Sequence, residues 1–184
     1  MTGQATPLTV ASAIVTFWRG ASDNWFVKDD AFDADFRSRF SGAHWDAAAR
    51  RLDDWMATAE GALALVVLLD QFPRNAFRGT AHMFATDPLA RHFAAEALDA
   101  GYEKQVEGEL ALFFCLPFMH SEDIADQRRC VDLVARIAPQ QRRFADEHLD
   151  IIARFGRFPH RNAVLGRETT AEEAAFLSAG GFAG

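Results

Sequence analysis

Apolar residues along this chain recur at helical spacing, and helix caps punctuate them. Val10, Ile14, Phe17 and Trp18 repeat at three- and four-residue intervals behind Thr6-Pro7, a cap followed by a proline suited to a first helical turn, and Gly20 ends the run. A second helix is expected where Phe32, Phe36 and Phe40 follow one another four residues apart, and a third where Trp45, Ala49, Leu52 and Trp55 recur. Charged residues separate the aromatic ones in both, so each is amphipathic. The stretch over residues 58–72, with its GALALVVLLDQF run, is apolar on nearly every side. A helix there belongs in the middle of a bundle, and Pro73 with Arg74-Asn75 is expected to end it.

The same punctuation continues. Thr86-Asp87-Pro88 opens a helix to about Leu98, which Gly101 closes; residues 109–116 form a short apolar helix halted before Pro117. Ser121 caps a helix carrying Ile124, Val131, Val134 and Ile137. Pro139 opens another, with Phe144, His148, Ile151, Ile152 and Phe155 on one face and Gly156 beyond its end. Thr170-Ala171-Glu172-Glu173 is a capping box ahead of Phe176 and Leu177. No segment alternates with period two. The expectation is an all-α, single-domain bundle of about eight helices over residues 1–184, with residues 59–72 the most buried. One internal echo occurs: Phe72-Pro73-Arg74-Asn75-Ala76 returns as Phe158-Pro159-His160-Arg161-Asn162-Ala163, each copy followed by a glycine, Gly79 or Gly166.

Composition narrows the classes. With 49% hydrophobic and 24% charged residues the chain is globular in type, and its net charge of −7 argues against broad adhesion to nucleic acid or to an anionic membrane. The longest clean apolar run is too short to span a bilayer, and the N-terminus has no secretory pattern. Cys115 and Cys130 form no Cys-x-x-Cys pair and are expected as idle thiols in a cytoplasmic protein.

Three polar clusters interrupt the apolar pattern. Asp70-Gln71 with Arg74 ends the most hydrophobic helix, where a carboxylate opposes the helix dipole and needs a cationic partner. His120-Ser121-Glu122-Asp123 follows an apolar wall; the caps and acids suit a helix start, and His120 has no such explanation. Residues 154–167 hold Arg154, Arg157, Arg161 and Arg167 with no acid among them, so these forks either pair with distant carboxylates or face an anion. His148 falls on an apolar face and is expected to be a core histidine. Zinc-deaminase and His-Glu-x-x-His patterns are missing, as are the Gly-x-Ser-x-Gly elbow, the Walker A loop and Gly-x-Gly-x-x-Gly, so neither metal nor cofactor is expected.

LLDQFPRNAFRGT, FATDPLA, LPFMHSEDIADQ and IIARFGRFPHRNAVLGRETTAEEAAFL resemble the bacterial family known as domain of unknown function 924, over residues 17–177. The resemblance implies an all-helical, tetratricopeptide-like bundle and no assigned biochemical role. Cys115 stands where the family pattern has a tyrosine. Two readings remain. One is a binding module for a small anionic ligand or a protein or peptide partner, with no nucleic acid and no membrane. The other is a small-molecule enzyme in which His120 or His160 acts as general base beside Glu122 or Asp70 and an arginine clamp. Charge balance suggests that Asp70, Arg74, His120, Glu122, Arg157, His160 and Arg161 converge on one ligand-binding site, since burying any of them unpaired is costly.

Overall fold

A computed structural model of the chain describes residues 7–182. All their regular elements are helical, with no strand among the described residues, so the all-α expectation holds. The described residues form two compact units, one reaching Arg78 and resuming over His82–Pro117, the other comprising Gly79–Ala81 and the residues from Phe118 onward.

The first unit contains α1 (Pro7–Gly20), α2 (Asp30–Ala48), α3 (Ala59–Val66), α4 (Phe72–Ala76) and α5 (Asp87–Asp99). The Thr6 cap lies outside the described residues. Asp29 caps α2 by accepting the Ala31 and Phe32 N–H groups at 2.9 and 3.0 Å. The Phe32-Phe36-Phe40 stripe packs on Phe17 of α1, with ring centroids 5.2–5.4 Å apart. No separate third helix forms at Trp45. Helix α2 runs on through Trp45 to Ala48, because exposed Gly42 meets no obstacle inside it and alanines carry the helix onward. Arg50, at φ 60°, then turns the chain, and Trp55 is buried from a short 3-10 segment, Asp53–Ala57.

Helix α3 is capped by Thr58, whose hydroxyl accepts the Gly61 N–H at 3.1 Å, and every residue over 61–73 is buried. The expected stop at Pro73 does not occur. Residues Val67–Gln71 widen into a π-helical turn, and α4 continues straight through Pro73. A proline ring collides with the carbonyl four residues earlier, and the wider turn relieves that collision. The backbone then lacks donors. The Phe72 N–H reaches back to Val67 O, and Pro73 has no N–H, so the Leu68 carbonyl loses both its α-type and its π-type partner. Side chains donate to four consecutive carbonyls here, and those at Leu68 and Leu69 take the place of the missing backbone donors. His44 Nδ1 donates to Leu68 O at 2.9 Å, Thr86 Oγ1 to Leu69 O at 2.6 Å, Arg74 Nη1 to Asp70 O at 2.6 Å and Asn75 Nδ2 to Gln71 O at 3.2 Å. Thr86 therefore gives α5 no side-chain cap, contrary to its sequence reading.

Residues 109–116 are not one α-helix. Gly108–Phe114 is 3-10, and Pro117 lies inside the single turn α6 (Leu116–Met119), where a first-turn proline loses no helical bond.

In the second unit α7 (Ile124–Ile137) and α8 (Arg142–Phe155) pack as a hairpin, followed by α9 (Ala171–Ser178). Asp123, not Ser121, caps α7 by accepting the Ala125 N–H at 2.7 Å. Ser121 Oγ accepts the Asp123 N–H at 3.2 Å and donates to Asp126 at 2.6 Å, so it braces the turn one step earlier. Ile151, Ile152 and Phe158 form the core with Ile124, Phe155, Phe176 and Phe182 around them. Phe144 is 48% exposed, since the first turn of α8 lies ahead of that cluster. The capping box at Thr170 and Glu173 forms as read. The two copies of the Phe-Pro echo differ: residues 72–76 are helical, whereas Pro159–Arg161 is a 3-10 turn, yet Gly79 and Gly166 both follow at positive φ (78° and 65°).

Two glycines inside helices should respond oppositely to alanine. At Gly61 an added Cβ would lie 2.2 Å from the Trp55 carbonyl oxygen, whereas at Gly42 it meets nothing within 4 Å. Gly61→Ala is expected to destabilise by about 1–3 kcal/mol, from forced overpacking, and Gly42→Ala to stabilise by about 0.5–1 kcal/mol. Urea unfolding of the two variants checks both signs.

Candidate functional site

Candidate residues of the first unit meet at the π turn. Asp70 is fully buried, with Gln71 Nε2 donating to its Oδ2 at 2.5 Å and Arg74 Nη1 lying 3.3 Å from its Oδ1. The Arg74 fork closes on Asp87 instead, Nη1 to Oδ1 at 2.8 Å and Nη2 to Oδ2 at 2.9 Å. Burial pulls this guanidinium down, and the Asp70 and Asp87 carboxylates more than offset it, so its pKa stands above the ordinary arginine value. The bidentate pair ties α4 to the first turn of α5, where a carboxylate also suits the helix dipole.

In the second unit the acid-free arginine stretch finds its acids elsewhere. Arg167 closes on Glu122 through Nη1 and Nη2 at 2.7 and 3.0 Å, while Glu122 also accepts the Phe158 N–H at 2.8 Å. Burial would raise the Glu122 carboxyl; Arg167 and the Phe158 amide outweigh it and hold the group below the usual carboxylate range. Arg157 closes on Glu173 through Nε and Nη2 at 2.6 and 2.8 Å and reaches Glu168 O at 2.8 Å. Glu173 is 2% exposed and also accepts from Thr170 N and Asn162 Nδ2. The Arg157 hydrogen bonds, then the Thr170 amide, hold its carboxyl down to about 2. Arg154 pairs with Glu172 at the exposed surface. The sequence calls for distant carboxylates without saying which; Glu122 stands among the candidate residues and Glu173 does not, because its capping-box position marks it as a helix start and gives no sign of burial.

The remaining candidates gather around Phe158. The Arg161 guanidinium lies 4.4 Å from the centre of the Phe158 ring, and Arg161 is buried. His160 packs between Phe158 and Phe182, at 5.6 and 5.2 Å, and its buried Nδ1 has no hydrogen-bond partner. His148 lies against the same two rings, at 5.5 and 4.6 Å, with Nδ1 donating to Phe144 O at 2.8 Å. Burial, then the Arg161 charge and His148, push His160 down to about 4. Burial likewise takes His148 to about 4, with His120 and Arg161 adding to the shift. His120, Glu122, His160 and Arg161 thus share one electrostatic neighbourhood, with Arg157 reached through the field of Glu122, while Asp70 and Arg74 belong to the cluster of the first unit. Two clefts, of about 540 and 400 Å³, lie elsewhere: one along α7 beside Arg129 and Arg136, the other between α1 and α2 beside Phe17 and Arg39.

Comparison with known proteins agrees with this architecture. The chain belongs to a family of bacterial proteins of unknown function, DUF924, whose model matches residues 14–181. It is similar to the solved structure of a protein of unknown function from Agrobacterium tumefaciens, with 54% identity and a TM-score of 0.92, covering 95% of this chain and 99% of that one. No curated protein matches it. Among the described residues no helix is long and apolar enough to cross a membrane, and no group of three or more His, Cys, Asp or Glu residues is placed to hold a metal ion.

His148 gives a pH prediction. A histidine with a pKa of about 4 in the folded chain and about 6.5 when unfolded binds fewer protons folded than unfolded between those values. Its contribution is therefore full above about pH 6.5 and lost as pH falls toward 4, on the order of 3 kcal/mol in all. His148→Gln should lower stability at pH 7 and flatten the stability profile between pH 6.5 and 4. An unchanged slope in denaturant titrations across that range would contradict the assignment.

Proposed function

We propose that the chain is a binding protein and that the second-unit cluster around His160 receives a small anion bearing a carboxylate or phosphate. The observation that carries this reading is the buried His160 Nδ1, which has no hydrogen-bond partner although it sits in the positive field of Arg161 and Arg167. A buried ring nitrogen without a partner is costly, and with the ring proton on Nδ1 it donates to an anion, which also answers the positive field. The neighbouring carboxylates do not compete for it, since Glu122 and Glu173 are already held in the forks of Arg167 and Arg157. The same facts weaken general-base catalysis. Imidazoles with pKa values of about 4 are poor bases at neutral pH, and Glu122, with both oxygens taken by Arg167, is not free to orient one. The α7–α8 hairpin suits a tetratricopeptide-like module, and exposed Phe26 and Val27 suit the variant in which the partner is a protein or peptide.

An anion at this site raises the His160 pKa, so its affinity must rise as pH falls. Phosphate and small dicarboxylates are expected to raise the melting temperature, more at pH 5 than at pH 7.5. His160→Phe, which keeps the ring between Phe158 and Phe182, should abolish that rise while leaving the fold intact. Stabilisation that is independent of pH, or unchanged in His160→Phe, would overturn the reading, as would its absence in the unaltered protein.

A further inference from the structure

We propose that His44 and His82 form a two-imidazole site for a monovalent copper ion. His44 continues the Phe32-Phe36-Phe40 stripe of α2 by one more four-residue step and is fully buried. Its Nδ1 must carry the proton, because the atom it meets is the Leu68 carbonyl oxygen at 2.9 Å. That bond fixes the tautomer and leaves Nε2 as a lone pair, the same device by which a backbone carbonyl orients a metal-ligating histidine. The His44 Nε2 is buried and has no hydrogen-bond partner, and the same holds for His82 Nε2. The two rings stand 5.9 Å apart, centre to centre, at 79° to one another. Two metal–nitrogen bonds of about 2 Å in line, with half an imidazole at each end, span roughly 6 Å.

The surroundings select the ion. Trp45 lies 5.0 Å from the His44 ring and 5.1 Å from that of His82, Phe77 lies 4.3 Å from His82, and Phe72 stacks on His44 at 4.8 Å. Among the described residues no third His, Cys, Asp or Glu joins the pair. Zinc asks for four ligands and divalent copper for a tetragonal set, whereas monovalent copper accepts two nitrogens in line. A dry aromatic wall favours a soft, singly charged ion over a hard, doubly charged one, and the ring faces add cation–π attraction. Trp45 is 47% exposed, so the aromatic wall reaches the surface. The two ligands are 38 positions apart (82 − 44), on α2 and on the 3-10 turn Ala81–Phe84, which is why no sequence motif announces them.

The test is an anaerobic titration of the full chain with monovalent copper, held at a defined free concentration by a chromophoric chelator, and with silver as a redox-inert substitute. One equivalent is expected to bind and to quench tryptophan fluorescence, with X-ray absorption reporting two nitrogen scatterers. His82→Phe should weaken binding at least 100-fold at unchanged far-ultraviolet circular dichroism, whereas Cys115→Ser/Cys130→Ser should bind as the unaltered chain does. Absence of uptake, uptake undiminished in His82→Phe, or uptake lost only in the cysteine variant, which would place the ion on thiols, would each overturn the proposal.

Discussion

The first unit is organised by one conflict, between a fully buried helix and the proline in its path. Pro73 withholds an N–H and crowds the carbonyl of Leu69, and the chain keeps going by opening the π turn Val67–Gln71. Opening the turn leaves carbonyl oxygens that water cannot reach, and a buried carbonyl without a donor is more costly than a hydrogen bond is favourable. His44 and Thr86 answer that need at Leu68 and Leu69, and they come from α2 and from the start of α5, while Arg74 and Asn75 of α4 add donors to the next two carbonyls. Much else in the unit follows. Arg74 is fixed where its fork meets Asp87, Asp70 is fixed beside Arg74, and His44 is fixed in the tautomer that exposes its Nε2 lone pair.

The second unit solves a different problem, that of charge buried around a phenylalanine. Glu122 and Glu173 each accept a two-pronged arginine and at least one backbone N–H, so neither carboxylate enters the interior unpaired. Those pairs bring the segment after α8 back onto α9 and onto the turn before α7. Burial, with the Arg161 charge beside it, keeps His148 and His160 neutral, and the positive field at His160 is the property on which the anion reading depends.

Much of this was legible in the sequence where caps and spacing act locally. The proline-led start of α5, the left-handed glycines at Gly101 and Gly156 and the capping box at Thr170 depend on a few adjacent residues and were readable from them. What was not legible depends on residues distant in sequence. Pro73 reads as a stop because its local effect is a lost bond, and only the carbonyl donors His44 and Thr86 make its passage tolerable. His44 follows the phenylalanine stripe at the same spacing, a signal that was present and unused. The arginine stretch signalled that acids were needed, but not which; Glu173 is offered to the eye as a cap and to the structure as a buried counter-ion.

The central claim, that side chains replace the donor Pro73 removes, is tested most directly by a double-mutant cycle in unfolding free energy between Thr86→Val and Pro73→Ala. In the unaltered chain Thr86→Val strips the Leu69 carbonyl of its hydroxyl donor and should cost about 1–3 kcal/mol. With alanine at position 73 a backbone N–H is again within reach of the stripped carbonyls, and the cost of Thr86→Val should shrink by at least about 1 kcal/mol. Strict additivity of the two substitutions, with Thr86→Val equally costly in both backgrounds, would contradict the account.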